Sequence, residues 1–157
     1  MIVTSRDNSP DLIGLMDGSC GMKQESDEHP AVNACDVNMD SFFIASSTAV
    51  AQTRYDRMFV IQWQPTVPIH SFYADCYPRI QTINVFVPTE LPFLVSPENT
   101  AVQGLFPNGV INLPQKMNGR ALVLEPRQSL TLPLQNFSFR EIRVWSDPEL
   151  GYYSDQI

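Results

Sequence analysis

The 157-residue sequence predicts an all-β fold, a single β-sandwich or jelly-roll-like barrel with an extended acidic N-terminal arm. From residue 41 onward, short runs rich in Val, Ile, Thr and aromatic residues alternate with turn-forming residues. No segment combines a sustained 3.6-residue apolar period with helix caps, so helices should be few and short. Of the 13 prolines, 11 lie between Pro65 and Pro148, mostly at the ends of these runs, where their missing N–H does not interrupt a β-ladder.

The candidate strands are short, and most are bounded by proline, glycine or other turn residues. In chain order they cover residues 41–45, 48–53, 57–64, 79–87, 92–95, 109–113, 120–125, 129–134 and 140–145. Side chains alternate along them, so that Ile83 and Val85 fall on one face of their strand and Thr82 and Asn84 on the other.

Two turns are predicted in the C-terminal half. Asn118 and Gly119 form an Asn-Gly pair, the strongest short turn signal, and predict a tight link into the strand at 120–125. Pro126 is expected to set the next turn, before the strand at 129–134.

Charge divides the chain into three parts. The net charge is −6 over residues 1–40, +2 over 41–146 and −3 over 147–157, which together give the −7 of the whole chain. We therefore expect an extended arm over 1–40, a β-sandwich domain over 41–146 and an acidic C-terminal tail over 147–157. Apolar residues are scattered through the arm, so we expect it to dock onto the body or onto a neighbouring subunit.

Bulk properties argue against several classes of partner. The basic residues of the body are scattered, so nucleic acid is not expected as a partner. The N-terminus lacks the pattern of a signal peptide and no apolar run reaches bilayer length, which predicts no membrane partner and synthesis in a cytoplasm. The three cysteines, Cys20, Cys35 and Cys76, are odd in number and irregularly spaced, which favours reduced thiols.

Few residues are suited to metal binding or nucleophilic catalysis. A zinc site could be composed of Cys20, Cys35 and His29, but no Cys-x2-Cys pair supports it. There is no Gly-x-Ser-x-Gly elbow, and His70 with Cys76 is the one close His and Cys pair. We predict no metal, no cofactor and no catalytic residue.

Paired carboxylates are a further catalytic candidate, because the pairs that hydrolyse glycosides are set by space rather than by sequence. Glu125 precedes Pro126, and Glu141 shares a strand face with Arg143, so both are first interpreted as solvated or cross-strand charges. The full set of candidates is Asp56, Asp75, Glu90, Glu98, Glu125 and Glu141.

Four aromatic residues suggest a binding surface. Trp63, Trp145, Tyr152 and Tyr153 suit either a sugar-stacking platform or an interface anchor. A place in the core is the alternative for Trp63 and Trp145. For Tyr152 and Tyr153, in the acidic tail, contact with a neighbouring surface is expected.

The segment RALVLEPRQSLTLPLQNFSFREIRVWS, residues 120–146, resembles the closing β-module of many tailed-bacteriophage virion proteins. In that module a strand leads into a Glu-Pro-Gly-Gln/Glu-Ser type turn, then a Leu-x-Leu strand and a strand of alternating aliphatic residues. Glu125, Pro126 and Ser129 match the turn, whereas Arg127 stands where glycine is usual. The resemblance covers about 25 residues and implies a structural role in a phage virion.

We therefore expect a non-enzymatic bacteriophage virion structural protein: a capsid decoration or cement subunit, a minor capsid protein or a connector component. The low fraction of charged residues, 17%, favours a protein that is a subunit of a larger assembly. Its partners would be other virion structural proteins, and it would form a homo-oligomer or bind to a shell. It would be made in the host cytoplasm and would be located in the virion. The expected contact residues are Ile2, Val3, Leu12, Ile13, Leu15, Met16, Trp145, Tyr152 and Tyr153.

Two alternatives stay open. A carbohydrate-binding or receptor-binding β-sandwich module would show exposed Trp and Tyr side chains, with Trp145 and Tyr152 as the residues to test. A small β-barrel hydrolase would need two carboxylates, or His70 and Cys76, to converge in a cleft.

Overall fold

A computed structural model describes residues 11–22, 28–36, 40–45, 53–77, 82–105, 109–127 and 137–146. These residues form an antiparallel β-sandwich with one short α-helix and two 3-10 helices, which confirms the predicted all-β fold class. The elements in chain order are α1 Leu12–Leu15, β1 Ser19–Gly21, a first 3-10 helix Ala31–Ala34, β2 Phe43–Ile44, a second 3-10 helix Arg54–Arg57, β3 Phe59–Tyr77, β4 Thr82–Phe86, β5 Thr100–Leu105, β6 Val110–Arg127 and β7 Ser138–Trp145.

The two long strands β3 and β6 organise the sheet. The strand order is β2-β7-β3-β6-β4-β5, and β1 pairs with β3 beside this path. The pairing of β3 with β6 runs from Phe59 opposite Leu124 to Tyr73 opposite Val110, with two register shifts. Such irregularities bend a strand. The first part of β3 therefore pairs with β1 and its last part with β7.

The interior of the sandwich is apolar and partly aromatic. Phe43, Phe59 and Phe139 come from β2, β3 and β7 and are fully buried. The ring of Phe59 meets those of Phe43 and Phe139 edge to face, at centroid distances of 5.0 and 5.1 Å. This packing fastens the short edge strand β2 to the centre of the sheet.

A smaller apolar cluster lies on the outer face of β4 and β6. Met58, Phe86, Ala121 and Val123 are buried there beneath Tyr55 and the loop that follows β4. Since Ile83 and Val85 are buried in the main core, β4 is covered on both faces rather than on one.

The described part of residues 1–40 packs onto the sheet, and the division of the chain at residues 40 and 146 stays a prediction. Asp11 begins α1 by accepting a hydrogen bond from the Ile13 amide at 3.1 Å, and it accepts a second one from the Val144 amide at 3.1 Å. Leu12 and Ile13 are buried, and the Trp63 indole N–H donates to the Leu12 carbonyl at 3.0 Å. Apolar side chains in this region therefore stabilise its docking onto the body. Residues 1–10 and the tail at 147–157 lie outside the described residues.

Two of the three cysteines are paired. Cys20 in β1 and Cys35 at the end of the first 3-10 helix form a disulfide with a Cα–Cα distance of 6.4 Å, which lies within the usual range. Cys76 is buried and does not belong to the disulfide. The prediction of reduced thiols was therefore wrong for Cys20 and Cys35, because spacing along the chain does not reveal that β1 and this helix are neighbours.

The predicted turn at Asn118 and Gly119 was wrong. Both residues belong to β6, where they pair with Pro68 and Val67 of β3. The glycine has a packing role instead, since a Cβ at Gly119 would lie 2.5 Å from Val87 Cγ1. The turn predicted at Pro126 was wrong too, because that residue pairs with Ile83 of β4 and the strand continues.

The other predicted strands agree with the observed strands only in part. The segments at 57–64, 79–87, 109–113, 120–125 and 140–145 fall largely on observed strands, whereas 92–95 forms an irregular loop. The residues 48–52 and 129–134 lie outside the described residues. Strands β1 and β5 were not predicted.

Across the described ranges, no helix combines the length and the apolar character needed to cross a membrane.

Candidate functional site

An open groove of about 380 Å³ lies where β2, β7 and the end of β3 meet at one edge of the sheet. We call it the edge groove. It combines two partly exposed aromatic rings, Tyr77 at 75% and Phe42 at 37% exposure, with one carboxylate and one guanidinium. Its lining residues are Phe42, Asp75, Cys76, Tyr77, Ser138 and Arg140.

The segment around the first 3-10 helix holds Phe42 in place. The His29 ring stacks on the Phe42 ring at 4.4 Å between centroids and an interplanar angle of 16°. The Asn33 side-chain amide donates to the Phe42 carbonyl at 3.2 Å, and the Ser41 hydroxyl donates to the Asp36 carboxylate at 2.6 Å. The Phe42 ring is thus presented in a fixed position, which lowers the entropy that a ligand must remove.

A β-bulge between β3 and β7 places the two charged side chains. One residue of β3, Asp75, lies opposite two residues of β7, Arg140 and Glu141. A bulge redirects side chains, and here Arg140 is exposed whereas Glu141 is buried. The flanking pairs are Ala74 with Ile142 and Cys76 with Phe139.

The edge groove contains two charged side chains. Within the described ranges, no hydrogen bond or ion pair joins the side chain of Asp75 or of Arg140 to another residue. The Ser138 hydroxyl donates a long bond of 3.4 Å to the Tyr77 carbonyl, which leaves its lone pairs open to the groove. The groove therefore offers aromatic surface, an acceptor, a charged donor and a hydroxyl.

The remaining lining residue, Cys76, is chemically inert. Burial, and secondarily the charge of Asp75, raises the pKa of the Cys76 thiol to about 12, so the thiol is protonated at neutral pH and is a poor nucleophile. His70 lies on the same strand, and six residues of strand span about 20 Å. The dyad that His70 and Cys76 would need does not form.

The zinc site considered for Cys20, Cys35 and His29 is excluded, because both thiols are committed to the disulfide. In the part of the chain that the structure describes, no three His, Cys, Asp or Glu side chains come close enough to hold a metal ion.

Glu125, interpreted as a solvated turn residue, and Glu141, interpreted as a cross-strand charge beside Arg143, are both buried and paired with arginine. Glu125 accepts hydrogen bonds from Arg54 at 2.6 and 2.7 Å. Glu141 accepts one from Arg143 at 2.9 Å, and Arg143 also lies 3.4 Å from Asp11. The pairing offsets part of the cost of burying these charges.

The other candidate carboxylates lie in three places. Asp56 is buried in the second 3-10 helix, where it accepts a hydrogen bond from the Thr53 amide at 3.2 Å. Glu90 and Glu98 are exposed on the loop after β4, where both line a shallow pocket of about 400 Å³. Asp75 is the one carboxylate among the described residues that line the edge groove.

The expected contact residues divide into three groups. Leu12, Ile13 and Trp145 are buried within the chain itself, so their side chains are not available to a neighbouring subunit. Leu15 at the end of α1 and Met16 directly after it are exposed, and their role as contacts stays a prediction. The remaining four, which lie outside the described residues, are Ile2, Val3, Tyr152 and Tyr153.

The aromatic surface comes from residues that the sequence reasoning passed over. Trp63 and Trp145 are buried in the body, and Phe42 and Tyr77 provide the exposed rings instead. A signal for Phe42 was present, because strand alternation places it opposite the buried Phe43. For Tyr77 the signal was weaker: an aromatic at a strand end, directly before a proline.

No protein-family model and no curated protein matches the sequence. Solved structures do match the fold. The family 32 carbohydrate-binding module of NanJ from Clostridium perfringens, in complex with galactose, is 9% identical with a TM-score of 0.59, and the match covers 82% of this chain and 93% of that one.

Two further structures give the same result. A family 32 module from a Clostridium perfringens protein, in complex with GalNAc-β-1,3-galactose, is 11% identical, with a TM-score of 0.62 over 82% of this chain and 95% of that one. Chitosan-binding module 2 of a chitosanase/glucanase from Paenibacillus sp. IK-5, in complex with chitotriose, is 12% identical, with a TM-score of 0.57 over 82% and 94%. At these identities the likeness shows a shared fold.

These matches correct the predicted function. The expectation of a bacteriophage virion structural protein, with other virion proteins as partners, is not supported, because the similar structures are carbohydrate-binding modules whose ligands are sugars. The regular strands at 120–127 and 138–145 belong to the centre of a β-sandwich, an architecture that many unrelated functions share.

Proposed function

We propose that this chain is a non-catalytic carbohydrate-binding β-sandwich module and that the edge groove binds the sugar. The observation that carries the proposal is the juxtaposition of Tyr77 and Phe42 with Asp75 and Arg140 in one open groove. The fold it shares with modules bound to galactose, GalNAc-β-1,3-galactose and chitotriose supports it.

The groove chemistry suits a sugar ring. One face of a pyranose is largely C–H and packs on an aromatic ring, which gains apolar burial without desolvating hydroxyl groups. Tyr77, which is 75% exposed, has the most aromatic surface to offer. Asp75 would accept hydrogen bonds from sugar hydroxyls and Arg140 would donate to them, and charged partners make such bonds stronger.

The size and depth of the groove are consistent with reversible binding of one or two sugar units. Its volume of about 380 Å³ lies at the lower end of the range for small-molecule sites. The negative charge of Asp75 and the positive charge of Arg140 cancel, so the groove favours a neutral sugar. Without a second carboxylate among its described lining residues, it lacks the pair that glycoside hydrolysis usually requires.

We also propose that the module works outside the reducing cytoplasm. The Cys20–Cys35 disulfide supports this, because disulfides persist mainly in oxidising compartments. An extracellular setting would also bring the module to its glycans.

Isothermal titration with galactose, GalNAc-β-1,3-galactose and chitotriose tests the assignment. We expect at least one of these to bind, and Tyr77→Ala to weaken that binding about tenfold, the effect of losing roughly 1.4 kcal/mol of stacking. Leu94→Ala is the matched control, because Leu94 is 78% exposed but lies away from the groove. Equal affinities of the parent, Tyr77→Ala and Leu94→Ala would contradict the edge groove as the binding site. If none of the three sugars binds, the assignment of these sugars as ligands is contradicted.

A further inference from the structure

The loop that follows β4 forms a second surface, apart from the edge groove. Residues 87–99 connect β4 to β5 and contain two glutamates and no basic residue. Two pockets meet on this loop, because Pro92, Phe93 and Leu94 line both of them. We call the two pockets together the loop surface. None of its described lining residues takes part in the edge groove.

The first pocket of the loop surface is apolar. Its volume is about 390 Å³, and it is lined by Met58, which directly precedes β3, by Val60 of β3 and by Phe93 and Leu94 of the loop. The Phe93 ring meets the ring of Tyr55, which also lines the pocket, edge to face at 5.7 Å between centroids. Burial of a large apolar side chain in this pocket would remove apolar surface from water on both partners.

The second pocket of the loop surface is acidic. Its volume is about 400 Å³, and the two glutamates of the loop line it together with Thr89, Ser96 and Asn99. Glu90 and Glu98 are exposed, and among the described residues no ion pair joins either of them to a cation. This pocket therefore suits an ammonium or guanidinium group, which donates strong hydrogen bonds to carboxylates.

Hydrogen bonds hold the loop in one conformation. The Tyr55 hydroxyl accepts from the Val95 amide at 3.0 Å. The Asn99 side chain bonds the loop twice, since its oxygen accepts from the Ser96 amide at 3.1 Å and its amide donates to the Leu94 carbonyl at 2.9 Å. Leu94 is thus held beside the apolar pocket with 78% of its surface exposed. A surface ordered in this way costs a partner little entropy to bind.

Charge and shape together define the partner. A symmetric contact between two copies of the chain would bring the same acidic loops together, and like charges repel. Neither Arg54 nor Arg57 lines either pocket, so the second 3-10 helix does not supply a balancing charge there. Two adjoining pockets of different polarity suit successive side chains of an extended peptide segment better than one compact molecule.

We propose that the loop surface binds an extended segment of a partner protein, with a large apolar side chain in the apolar pocket and a Lys or Arg side chain in the acidic pocket. The proposal is independent of sugar binding, because the loop surface and the edge groove have no described lining residue in common. The chain would then attach to its partner while the edge groove stays open.

An array of synthetic peptides tests the proposal. Each peptide has a Gly-Ser background with one Trp and one Arg at most six residues apart, about 20 Å of extended chain. Two matched sets replace Arg by Glu or Trp by Ser. We expect the parent chain to bind the set with Trp and Arg at a preferred spacing, and to bind neither matched set.

Fluorescence anisotropy with the best peptide measures the contribution of each pocket. The affinity should fall about tenfold in the double variant Glu90→Lys with Glu98→Lys, and about fivefold in Leu94→Ala. All three side chains are exposed, so these variants should keep the fold, and thermal unfolding checks this. Tyr77→Ala is the matched control and should bind the peptide as the parent does.

Several results would overturn the proposal. These are the absence of peptide binding, equal binding of the Arg and Glu sets, and an unchanged affinity in the double variant. Loss of peptide binding in Tyr77→Ala but not in Leu94→Ala would assign the peptide to the edge groove instead. Self-association of the parent that Leu94→Ala abolishes would make the occupant a second copy, and Leu94-dependent sedimentation with phosphatidylcholine vesicles would make it a membrane. A failure to bind sugar leaves these peptide results unaffected.

Discussion

Removing the disulfide between Cys20 and Cys35 should destabilise the fold by about 3 kcal/mol. The crosslink has a sequence separation of 15 residues. Closing a loop of that length removes about 10 cal/mol/K of entropy from the unfolded chain, or about 3 kcal/mol at 25 °C. In the folded chain the bond joins β1, which pairs with β3, to the end of the first 3-10 helix.

Urea unfolding of the double variant Cys20→Ser with Cys35→Ser measures this loss. Trp63 and Trp145 are both buried, so their fluorescence reports the transition. With a urea dependence of about 1–3 kcal/mol/M for a small domain, the midpoint should fall by about 1–3 M. Adding dithiothreitol should lower the midpoint of the parent to that of the variant and leave the variant unchanged. Cys76→Ala is the control, since it removes a cysteine and should retain the sensitivity to dithiothreitol.

The same variant should weaken sugar binding at the edge groove under conditions where the chain is still folded. The first 3-10 helix carries Asn33, which holds the Phe42 carbonyl, and it follows His29, which stacks on the Phe42 ring. A looser helix leaves Phe42 less ordered, and binding must then supply the ordering entropy. Coincident unfolding curves for parent and double variant would refute the stability argument, and equal affinities would refute the link to Phe42.

Three further predictions follow from buried groups. Cys76, with its thiol pKa raised to about 12, should resist a thiol reagent in the native chain and react only after denaturation, and rapid native labelling would contradict its burial. Because the pKa of Glu125 is lowered in the fold, its stabilisation is complete above the unfolded value of about 4.5 and is lost as the pH falls through the folded value. The urea midpoints of parent and Glu125→Gln should therefore differ at pH 7 and converge below pH 4.5, and a constant difference would count against the pairing with Arg54. Gly119→Ala should cost about 1–3 kcal/mol in thermal unfolding, because the new Cβ would meet Val87 Cγ1 at 2.5 Å, and an unchanged melting temperature would show that the neighbours move aside.

The fold class was predictable because strand formation leaves a local signal. Runs of β-branched and aromatic residues, separated by turn formers, mark much of β3, β4, β6 and β7. The lengths of β3 and β6 were not predictable in this way. Pro65 and Pro114 suggested strand ends, yet both lie at register shifts between these strands, where a missing N–H donor is tolerated. Whether a proline ends a strand or lies in a bulge depends on the partner strand, which the local sequence does not contain.

The site was less predictable, because its residues meet only through strand pairing. Phe42 directly precedes β2 and Tyr77 ends β3, and β7 brings them together with a bulge that exposes Arg140. Trp145 misled the prediction, since a large aromatic near the chain end suits a surface as well as a core. The disulfide was missed for the same reason: Cys20 and Cys35 become neighbours only through packing of β1 on the first 3-10 helix.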